Sequence, residues 1–300
     1  MSGPFVIHII LNTNRKDDTL ACLDSISHST YSNQKTIVLD NASHDGSLDA
    51  IRAAHPDVQV LSLTENLGYA GNNNIGIREA LAQDADWIFV LNEDTVLAPD
   101  CLEQLVRVAE ADPVNGIIGP MVYHHDEPNI IQSAGVALNR YWRSIHIGQN
   151  QIDSGQFPSS RRVDAISGCA ILVRRQVIEK VGVLDERFYY YWEETEWCLR
   201  AKKDGWNIIH VPSAKLWHKG VQKDYHPSPS VTYYDTRNWL LLLSKHHAPL
   251  TTWLYAWSRT LRILAAWTIR PKWKGMHDHR IAMWRGTRDF LFGRWGAKTG

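Results

Sequence analysis

The sequence predicts an α/β protein with a mostly parallel sheet flanked by helices, followed by a C-terminal helical extension. Over the first 110 residues, short apolar runs alternate with segments whose apolar residues recur at the helical period. This order of strands and helices is typical of parallel sheets covered by helices on both faces. Residues 250–270 repeat apolar side chains at helical spacing without an intervening strand, which indicates the extension.

Four strand–helix pairs account for the first part of the chain. Each strand is a short apolar run, and each helix carries apolar residues three or four positions apart. The predicted strands are Phe5–Leu11, Thr36–Leu39, Val58–Leu63 and Trp87–Leu91, and the predicted helices are Asp17–His28, Ser47–Ala54, Asn72–Gln83 and Asp100–Glu110. Because ligands of such sheets bind beyond the carboxyl ends of the strands, we expect functional residues in the loops that follow them.

The middle of the chain is less regular. Residues 116–162 contain many turn residues and no long period, and residues 163–174 form an apolar segment. After Trp192 the sequence EETEWCLRAKKDG predicts a helix with acids in its first turn, bases in its last turn and Gly205 just past its end. A short strand is predicted at Asn207–Val211.

Length and composition limit the possible domain organisation and the cellular compartment of the protein. We predict a domain at 1–230, with halves at 1–120 and 121–230, and a separate C-terminal region at 231–300. The four cysteines lie far apart and form no CxxC pair, which indicates free thiols in a reducing compartment. The N-terminus has no basic segment before its apolar run, so it is expected to form a strand rather than a signal peptide. No uncharged apolar run reaches the roughly 18 residues that a membrane-spanning helix needs.

Polar loops follow the four predicted strands. They read NTNR at 12–15, DNASHDGS at 40–47, ENLGYAGNNNIG at 65–76 and NEDT at 92–95. Taken singly, each loop is explained by turn and helix-cap chemistry. The glycines of the third loop are not spaced as GxGxxG, and no GxxxxGK[ST] occurs, so neither a dinucleotide fold nor a P-loop is supported.

The combination of these loops with three later motifs resembles one known family. The later motifs are SGCAILVRR at 167–175, VGVLDERFYYYWEETEWCLRAKKDGW at 181–206 and VPSAKLWHKG at 211–220. In this order the motifs resemble a family 2 glycosyltransferase with the GT-A fold, and more narrowly the bacterial rhamnosyltransferase-like branch that builds surface polysaccharides. The resemblance implies a GT-A, Rossmann-like sheet and an enzyme that transfers a sugar, with inversion, from a nucleotide diphosphate to a hydroxyl.

The resemblance also implies a nucleotide-sugar site at the strand ends. Asp40, which ends the second strand, would hydrogen-bond the base of the nucleotide. The branch suggests a dTDP-linked rhamnose donor, although UDP-hexoses are used by similar enzymes. The residues implied around the donor are Thr13, Asn14, Arg15, Asp40, Asn66, Gly68, Asn74, Asn92 and Glu93.

A metal site is implied at the family's DxD motif, where this chain has Asn92-Glu93-Asp94. Asp94 is then the implied ligand of Mg²⁺ or Mn²⁺. A hard cation held by one or two protein groups and the diphosphate suits this chemistry, because it neutralises charge on the departing diphosphate. His218, in KLWHKG, matches a histidine that joins the metal or the diphosphate. A lone histidine after a strand is as often structural, so its role stays open.

A general base is implied in FYYYWEETEW, residues 188–197, where aromatic residues precede three acids. The family pattern assigns the base to Glu194, with Glu193 as the alternative, although glutamates replace the family's aspartates at 194 and 196. An acid near aromatic surface has a raised pKa, which suits a base. The structural alternative is that acids stabilise a helix N-terminus and that Glu196 pairs with Arg200 on the helix surface at i,i+4.

The C-terminal region is basic and rich in tryptophan. Residues 253–300 contain ten Lys/Arg and two Asp, a net charge of +8, and the rest of the chain has −8. In the predicted helix one face carries Leu250, Trp253, Leu254, Trp257, Leu261 and Leu264, and the other carries Arg259, Arg262 and Arg270. Two interpretations stay open, namely packing on the catalytic domain and interfacial binding to an anionic membrane. Nucleic-acid binding is disfavoured, because no recognition motif accompanies the charge.

Two other functions compete with sugar transfer. A sugar-1-phosphate nucleotidyltransferase needs a glycine-rich loop after its first strand, and NTNRKDD contains no glycine. A catalytically silent, glycosyltransferase-like scaffold subunit stays open, because Asn92 and Glu194 depart from the family pattern. The transferase interpretation predicts a glycan or lipid-linked glycan acceptor, and a cytoplasmic protein bound peripherally to the inner face of the cell membrane.

Overall fold

A computed structural model describes residues 3–220 and 226–298, and its elements follow the predicted alternation. The predicted ranges 1–230 and 231–300 each include a few residues outside those described. The strands are β1 Val6–Asn12, β2 Gln34–Asp40, β3 Gln59–Ser62, β4 Trp87–Asn92, β5 Thr95–Leu97, β6 Asn115–His124, β7 Ile131–Ser133, β8 Val136–Leu138, β9 Ser144–His146, β10 Arg161–Arg162, β11 Ala170–Arg174 and β12 Asn207–His218.

Helices cover the sheet and form the C-terminal extension. They are α1 Lys16–Ser27, α2 Ser47–Ala54, α3 Gly68–Ala82, α4 Cys101–Glu110, α5 Arg175–Val181, α6 Glu193–Lys203, α7 Pro229–Lys245, α8 Leu250–Ile269 and α9 His277–Leu291, and a 3₁₀ segment at Pro271–Met276 joins α8 to α9. None of the helices in the described ranges combines the length and apolar character needed to span a bilayer.

The central sheet has the strand order β10-β12-β6-β11-β4-β1-β2-β3, with β5 paired to β12 and β7 to β6. Strand β1 is parallel to β2 and β4, and β2 is parallel to β3. Strand β11 is antiparallel to both β4 and β6. The predicted parallel sheet is therefore correct for the first half of the chain, and one antiparallel strand joins it to the second half.

The parallel register brings the strand ends together at one edge. Asn12, the last residue of β1, lies opposite Asp40 at the end of β2, and Leu11 lies opposite Asn92 at the end of β4. The polar loops that follow these strands therefore leave the sheet side by side, as expected for a ligand-binding edge.

Strand β1 is buried on both faces. Val6 and Ile10 pack in one cluster with residues of α1 and α4, and Ile7 and Ile9 pack in the other with residues of α3 and α6. A strand buried on both faces reads as a continuous apolar run, which is why VIHII was recognisable. Packing on both faces holds β1 in place and so positions the sheet edge from which the polar loops leave.

Two strands differ from expectation. Strand β6 lies almost entirely within residues 116–162, where the sequence shows no periodic pattern of apolar residues. Every residue of this strand is buried. Full burial removes the alternation that reveals a strand, and its two glycines and proline resemble turn residues. Strand β12 was predicted to end at Val211 but continues to His218, with a register irregularity between Val211 and Lys215.

Helix α8 packs with a different face from the predicted one. Its buried residues are the small side chains Thr252, Ala256 and Thr260. Two residues of the predicted apolar face, Trp253 and Trp257, pack against the protein, and three, Leu250, Leu254 and Leu261, lie exposed to solvent. The packing interpretation therefore holds for part of this face, and membrane binding stays a prediction.

Candidate active site

A cleft of about 610 Å³ lies at the carboxyl edge of the sheet. The ends of β1 and β4, the start of α3, the loop before α6 and the end of β12 contribute its walls. Ten of the predicted site residues line this cleft, namely Thr13, Arg15, Asn66, Gly68, Asn92, Glu93, Asp94, Glu193, Glu194 and His218. Residues separated by up to 205 positions in the sequence therefore meet in one place.

Asp40 and Asn14 are not among the residues that line the cleft. Asp40 is buried at the end of β2, where its carboxylate accepts hydrogen bonds from Asn12 Nδ2 at 2.8 Å and from the Ser43 amide at 3.2 Å. Asn14, which has a φ of 53°, accepts a hydrogen bond from the His44 amide at 2.7 Å. Both side chains join the loops after β1 and β2 to each other.

Asn74 also lies away from the cleft. Its amide group donates to the Leu184 carbonyl at 2.9 Å and accepts from the Leu184 amide at 3.0 Å. The same Nδ2 donates to Glu186 Oε1 at 2.9 Å. This buried asparagine therefore ties α3 to the segment that leads into the aromatic loop.

The loop before α3 contacts the aromatic loop directly. Asn66 Oδ1 accepts a hydrogen bond from the Gly68 amide at 2.9 Å, and the Ala70 amide donates to the Tyr189 carbonyl at 3.3 Å. A Cβ atom on Gly68 would lie 2.5 Å from Tyr189, and the φ of +75° at this position also favours glycine. Gly68 thus permits the close approach of two walls of the cleft.

Asp94 and His218 meet because β5 pairs with β12. This pairing places Thr95 opposite His218 and brings His218 Nε2 to 3.1 Å from Asp94 Oδ1. His218 Nδ1 lies 2.7 Å from Gln132 Oε1, and Asn92 Nδ2 lies 3.3 Å from Nε2. Because the amide oxygen of Gln132 can only accept, Nδ1 carries a proton, and Nε2 faces both the amide nitrogen of Asn92 and the carboxylate of Asp94.

This pair of residues fits a divalent cation. Within the described residues, Asp94 Oδ1 is buried and accepts no hydrogen bond of regular geometry, and its 3.1 Å contact with His218 outweighs burial and lowers the pKa of Asp94. A buried carboxylate oxygen beside an imidazole nitrogen is a pair of atoms that can bind a metal. Metal–ligand bonds of about 2.1 Å place adjacent octahedral ligands about 3 Å apart, close to the observed separation.

Four acidic side chains line the cleft, namely Glu93, Asp94, Glu193 and Glu194, and Arg15 is the one Lys or Arg among its described lining residues. Burial, helped by the charge of Asp94, raises the pKa of Glu93 to about 7, and burial also raises the pKa of Glu193 and of Glu194. Burial alone would raise the pKa of Asp94, but the contact with His218 outweighs burial and lowers the pKa of that carboxyl. Asp94 is therefore the acid that stays fully ionised at neutral pH and the one best suited to a cation.

The two candidate bases differ in their environment. Glu193 is 4% exposed, and its Oε2 has no hydrogen-bond partner among the described residues. Glu194 is half-buried, and the hydroxyl of Thr195 donates to its Oε1 at 3.3 Å. Burial raises the pKa of both groups, and the charge of Glu194 raises that of Glu193 further. Glu194 is therefore the more accessible proton acceptor.

The third acid of the motif, Glu196, forms ion pairs inside the protein and does not face the cleft. Glu196 is fully buried and pairs with Arg200 at 2.8 Å and with Lys245 of α7 at 2.8 Å. Burial alone would raise the pKa of Glu196, but His246 and these two cations outweigh it and lower that pKa. The predicted i,i+4 pair with Arg200 is confirmed, although it lies inside the protein rather than on the surface.

The aromatic loop has an unusual backbone. Tyr189, Tyr191 and Trp192 have φ values of 64°, 70° and 77°. Such values cost residues other than glycine of order 1 kcal/mol or more each, so surrounding contacts must hold them. The loop places the start of α6, with Glu193 and Glu194, at the mouth of the cleft.

Helix α7 supplies those contacts through Arg237 and Asn238, both fully buried. Asn238 Nδ2 donates to the carbonyls of Phe188, Tyr190 and Tyr191 at 2.7, 2.8 and 2.9 Å. Arg237 Nη2 donates to the Phe188 carbonyl at 3.0 Å. We call this pair the α7 clamp, because it binds the backbone of the loop that carries the candidate bases.

Sequence reasoning missed several residues that line the cleft. They include Tyr69, His146 and Ser167–Cys169. His146 lies in β9, in the stretch without a period, where no sequence signal distinguished it. Burial, followed by the charge of His218, lowers the pKa of His146. All four cysteines are free, as predicted, and burial raises the pKa of the Cys169 thiol to about 12, which makes it a poor nucleophile.

Comparisons with known proteins agree with the geometry. Residues 8–182 match the family model described as "Glycosyl transferase family 2". The chain is 30% identical over 271 residues to the N-acetylglucosaminyl-diphospho-decaprenol L-rhamnosyltransferase of Mycobacterium tuberculosis, covering 83% of each chain. It is 28% identical over 270 residues to the dTDP-rhamnosyl transferase RfbF of Shigella flexneri, covering 86% of this chain and 87% of the other.

Two solved structures share the architecture. The mannosyltransferase PcManGT of Pyrobaculum calidifontis, in complex with GDP-Man and Mn²⁺, aligns with a TM-score of 0.62 at 16% identity, covering 97% of this chain and 88% of that one. GalNAc-T7 with UDP, GalNAc and Mn²⁺ aligns with a TM-score of 0.63 at 14% identity, covering 80% and 48%. These likenesses confirm the predicted GT-A fold.

Proposed function

Because the chain belongs to glycosyltransferase family 2, we propose that it is an inverting, metal-dependent enzyme that moves a sugar from a nucleotide diphosphate to a hydroxyl of a glycan. The donor is dTDP-rhamnose, and a UDP-hexose is the second candidate. Support for rhamnose comes from the two relatives named as rhamnosyltransferases, one of them dTDP-dependent by name. The product belongs to a surface polysaccharide.

The acceptor in this proposal is a lipid-linked glycan. The mycobacterial relative carries a diphospho-decaprenol acceptor in its name. A lipid-linked acceptor requires the enzyme to work at a membrane surface, which supports a peripheral location on the inner face of the cell membrane. The basic C-terminal region, with a net charge of +8 over residues 253–300, is suited to such a surface.

Donor binding rests on the loops after β1 and β2 and before α3. Thr13, Arg15, Asn66 and Gly68 line the cleft and offer hydrogen-bond donors to a diphosphate and a ribose. Asp40 is turned inward, so we assign it to holding the loop that presents Asn41 to the cleft. Asp40 therefore supports recognition of the nucleotide base through this loop, although its own carboxylate does not line the cleft.

Asp94 and His218 hold the divalent cation in this proposal. When bound, Mg²⁺ or Mn²⁺ neutralises the charge that develops on the departing diphosphate. Asn92 and Gln132 fix the orientation of the His218 ring, and Glu93 lies beside Asp94 in the cleft. The protein thus contributes a preformed pair of ligands to the cation.

Glu194 acts as the general base. The acceptor oxygen attacks the anomeric carbon from the face opposite the diphosphate, and the carbon–oxygen bond to the diphosphate breaks. The electron pair leaves with the diphosphate, and the hydroxyl proton passes to the Glu194 carboxylate, which gives inversion. A raised pKa makes Glu194 a better proton acceptor than an ordinary carboxylate. Glu193 is the alternative base, but it is less accessible.

One observation carries this proposal, namely that Asp94, His218, Glu194 and the loop of Asn66 and Gly68 line a single cleft. We test it by thermal unfolding with dTDP, UDP, GDP and CMP, each with Mn²⁺, Mg²⁺ or a chelator. A ligand at about 100 times its Kd stabilises the native state by about 2.7 kcal/mol. We expect a metal-dependent shift with dTDP. No shift with any nucleotide contradicts the donor site.

A further inference from the structure

A second, basic pocket lies at the tip of the C-terminal helical hairpin, far along the sequence from the active-site residues. The end of α8, the 3₁₀ segment and the start of α9 form a cavity of about 240 Å³. Its walls include the cationic side chains Arg270, Lys274 and Arg280, together with Trp267 and His277. We call this cavity the tip pocket.

The cations of the tip pocket are not neutralised by the protein. Across the described part of the chain, no carboxylate lies within ion-pair distance of Arg270, Lys274 or Arg280. Arg280 Nη2 donates to His277 Nδ1 at 2.9 Å, which leaves its charge without a counter-ion. Three uncompensated cations around one small cavity repel one another, so an anionic ligand there is favourable.

Exposed apolar side chains flank the tip pocket. Ile269 is 76% exposed and Trp273 is 37% exposed, and they stand on either side of Arg270 in sequence. Nine of the fourteen large apolar side chains exposed on the described surface lie between residues 250 and 292. An apolar surface interleaved with cations is typical of proteins that lie in the interface of an anionic bilayer.

We propose that the tip pocket binds the phosphate group of an anionic phospholipid, with Ile269 and Trp273 inserted at the boundary of the acyl chains. Arg270, Lys274 and Arg280 surround the phosphate, and guanidinium groups suit it because they donate in a planar fork. Tryptophan prefers the same level of a membrane, since its ring is apolar and its N–H is polar. This inference rests on the proposed function only in taking the acceptor to be membrane-borne.

The geometry favours a lipid over the two other partners of a basic apolar surface. Nucleic acid is bound in an extended basic groove along which several phosphates lie, whereas these cations converge on a cavity of about 240 Å³. A second copy of the chain would bury the apolar residues but would leave the convergent cations without a counter-charge. Self-association of the chain is an outcome of the test below.

The full-length protein is sedimented with vesicles of phosphatidylcholine alone and with vesicles that also contain phosphatidylglycerol. We expect binding to the anionic vesicles only. Each cation near the surface contributes about fivefold in affinity, so Arg270→Ala with Lys274→Ala should weaken binding about 25-fold. Lys180→Ala, an exposed lysine on α5 in the catalytic domain, is the matched control and should bind like the wild type. Equal binding by the double variant overturns the proposal.

A second pair of variants tests the apolar contact. Ile269→Ser should weaken vesicle binding about tenfold, because it removes apolar surface from the acyl boundary. Ile152→Ser removes a similarly exposed isoleucine, 68% exposed, from the catalytic domain and should have no effect. If both variants bind like the wild type, the tip does not insert.

Two further arms separate the sources of binding. Phosphatidylcholine vesicles made anionic with a fatty acid carry their net charge on a carboxylate, and their phosphate is the zwitterionic one already present in the phosphatidylcholine control. Equal affinity for them contradicts a pocket for the phosphate of an anionic phospholipid. Sedimentation velocity without vesicles should show a monomer, and a dimer that is lost in Ile269→Ser assigns the surface to self-association instead.

Donor-induced thermal stabilisation is measured on every variant and should be unchanged. If the wild type shows no donor-induced stabilisation, the proposed function is refuted, but the vesicle result is unaffected.

Discussion

Three neighbouring glutamates in FYYYWEETEW have three different environments. Glu193 is buried, and its Oε2 has no hydrogen-bond partner among the described residues. Glu194 is half-buried in the cleft, and Glu196 pairs with Arg200 and Lys245. Sequence alone indicated acids near aromatic surface and one i,i+4 pair. It could not separate the three roles, because the separating contacts come from α7, which follows more than 30 residues later.

Replacing Glu194 by glutamine should abolish transfer while leaving the donor bound. The amide keeps the shape of the side chain but cannot accept the acceptor's proton, so we expect kcat to fall by roughly 10²–10⁴-fold. Donor affinity, measured by calorimetry with the nucleotide sugar and Mn²⁺, should change little. Wild-type turnover in this variant would falsify the assignment.

Glu196→Gln is the contrasting variant on the same helix. It leaves Arg200 and Lys245 without their buried carboxylate, so we expect a loss of about 3 kcal/mol in the free energy of unfolding. Denaturant titration measures that loss. Activity per folded molecule should exceed that of Glu194→Gln by orders of magnitude.

Replacing Asp94 by alanine should remove metal-dependent nucleotide binding. The substitution takes away one of two proposed ligands, and His218 alone offers a single nitrogen to a hard cation. Thermal unfolding with nucleotide, with and without Mn²⁺, provides the measurement. Asp57→Ala, at an exposed position in the turn before β3, is the control. An unaltered Mn²⁺ dependence in Asp94→Ala rules out its role as a ligand.

Glu193→Gln should stabilise the ligand-free protein at neutral pH. Burial raises the pKa of Glu193 in the folded state, so the folded protein holds a proton that the unfolded chain releases above about pH 4.5. Stability contributed by the protonated form is fully present below that pH and is lost as pH rises towards the raised pKa. Glutamine imitates the protonated form at every pH. The difference in free energy of unfolding should therefore vanish on acidification, and a constant difference contradicts the assignment.

At the level of elements, most of the first half of the fold and parts of the second half were predictable. Helix α2 has the predicted bounds, Ser47–Ala54, and the helix predicted after Trp192 is α6, Glu193–Lys203. Strand β6 escaped prediction because two glycines and a proline interrupt its apolar run and resemble turn residues. In α8 the periodicity was correct but the packed face was not, since small residues rather than leucines make its closest contacts.

The α7 clamp connects the helical extension to the chemistry. Asn238→Ala removes one side-chain donor from the carbonyls of Tyr190 and Tyr191, whereas the Phe188 carbonyl keeps its hydrogen bond from Arg237. We therefore expect a loss of about 2 kcal/mol in the free energy of unfolding. Because the loop positions Glu194 and not the donor pocket as a whole, kcat should fall more than the KM for donor rises. Ser244→Ala, exposed on the same helix, is the control. If the Asn238→Ala variant is as stable and as active as the wild type, the α7 clamp has no role in the mechanism.

At the scale of the molecule, the active site is assembled from positions 13 to 218 by the strand order. The loops after β1, β2 and β4 were predictable, because parallel strands end at one edge. The meeting of Asp94 with His218 was not predictable from spacing, because it depends on the antiparallel pairing of the short strand β5 with the extended end of β12. The family resemblance implied it, and the pairing explains it.

The separation of charge along the chain gives a final prediction about salt. Residues 253–300 carry ten Lys/Arg and two Asp, and Asp289 is buried against Tyr233 and Arg288, so the outer surface of this region is almost purely cationic. Raising ionic strength from 0.15 to 1 M shortens the Debye length from about 8 to about 3 Å, which screens exposed charges much more than partly buried ones. Binding to phosphatidylglycerol vesicles should therefore weaken steeply with salt, while Mn²⁺-dependent nucleotide binding in the partly enclosed cleft weakens far less. Both are measured on one preparation by sedimentation and calorimetry. If vesicle binding persists unchanged at 1 M salt, apolar insertion alone holds the protein to the membrane and the cations of the hairpin have no part in it.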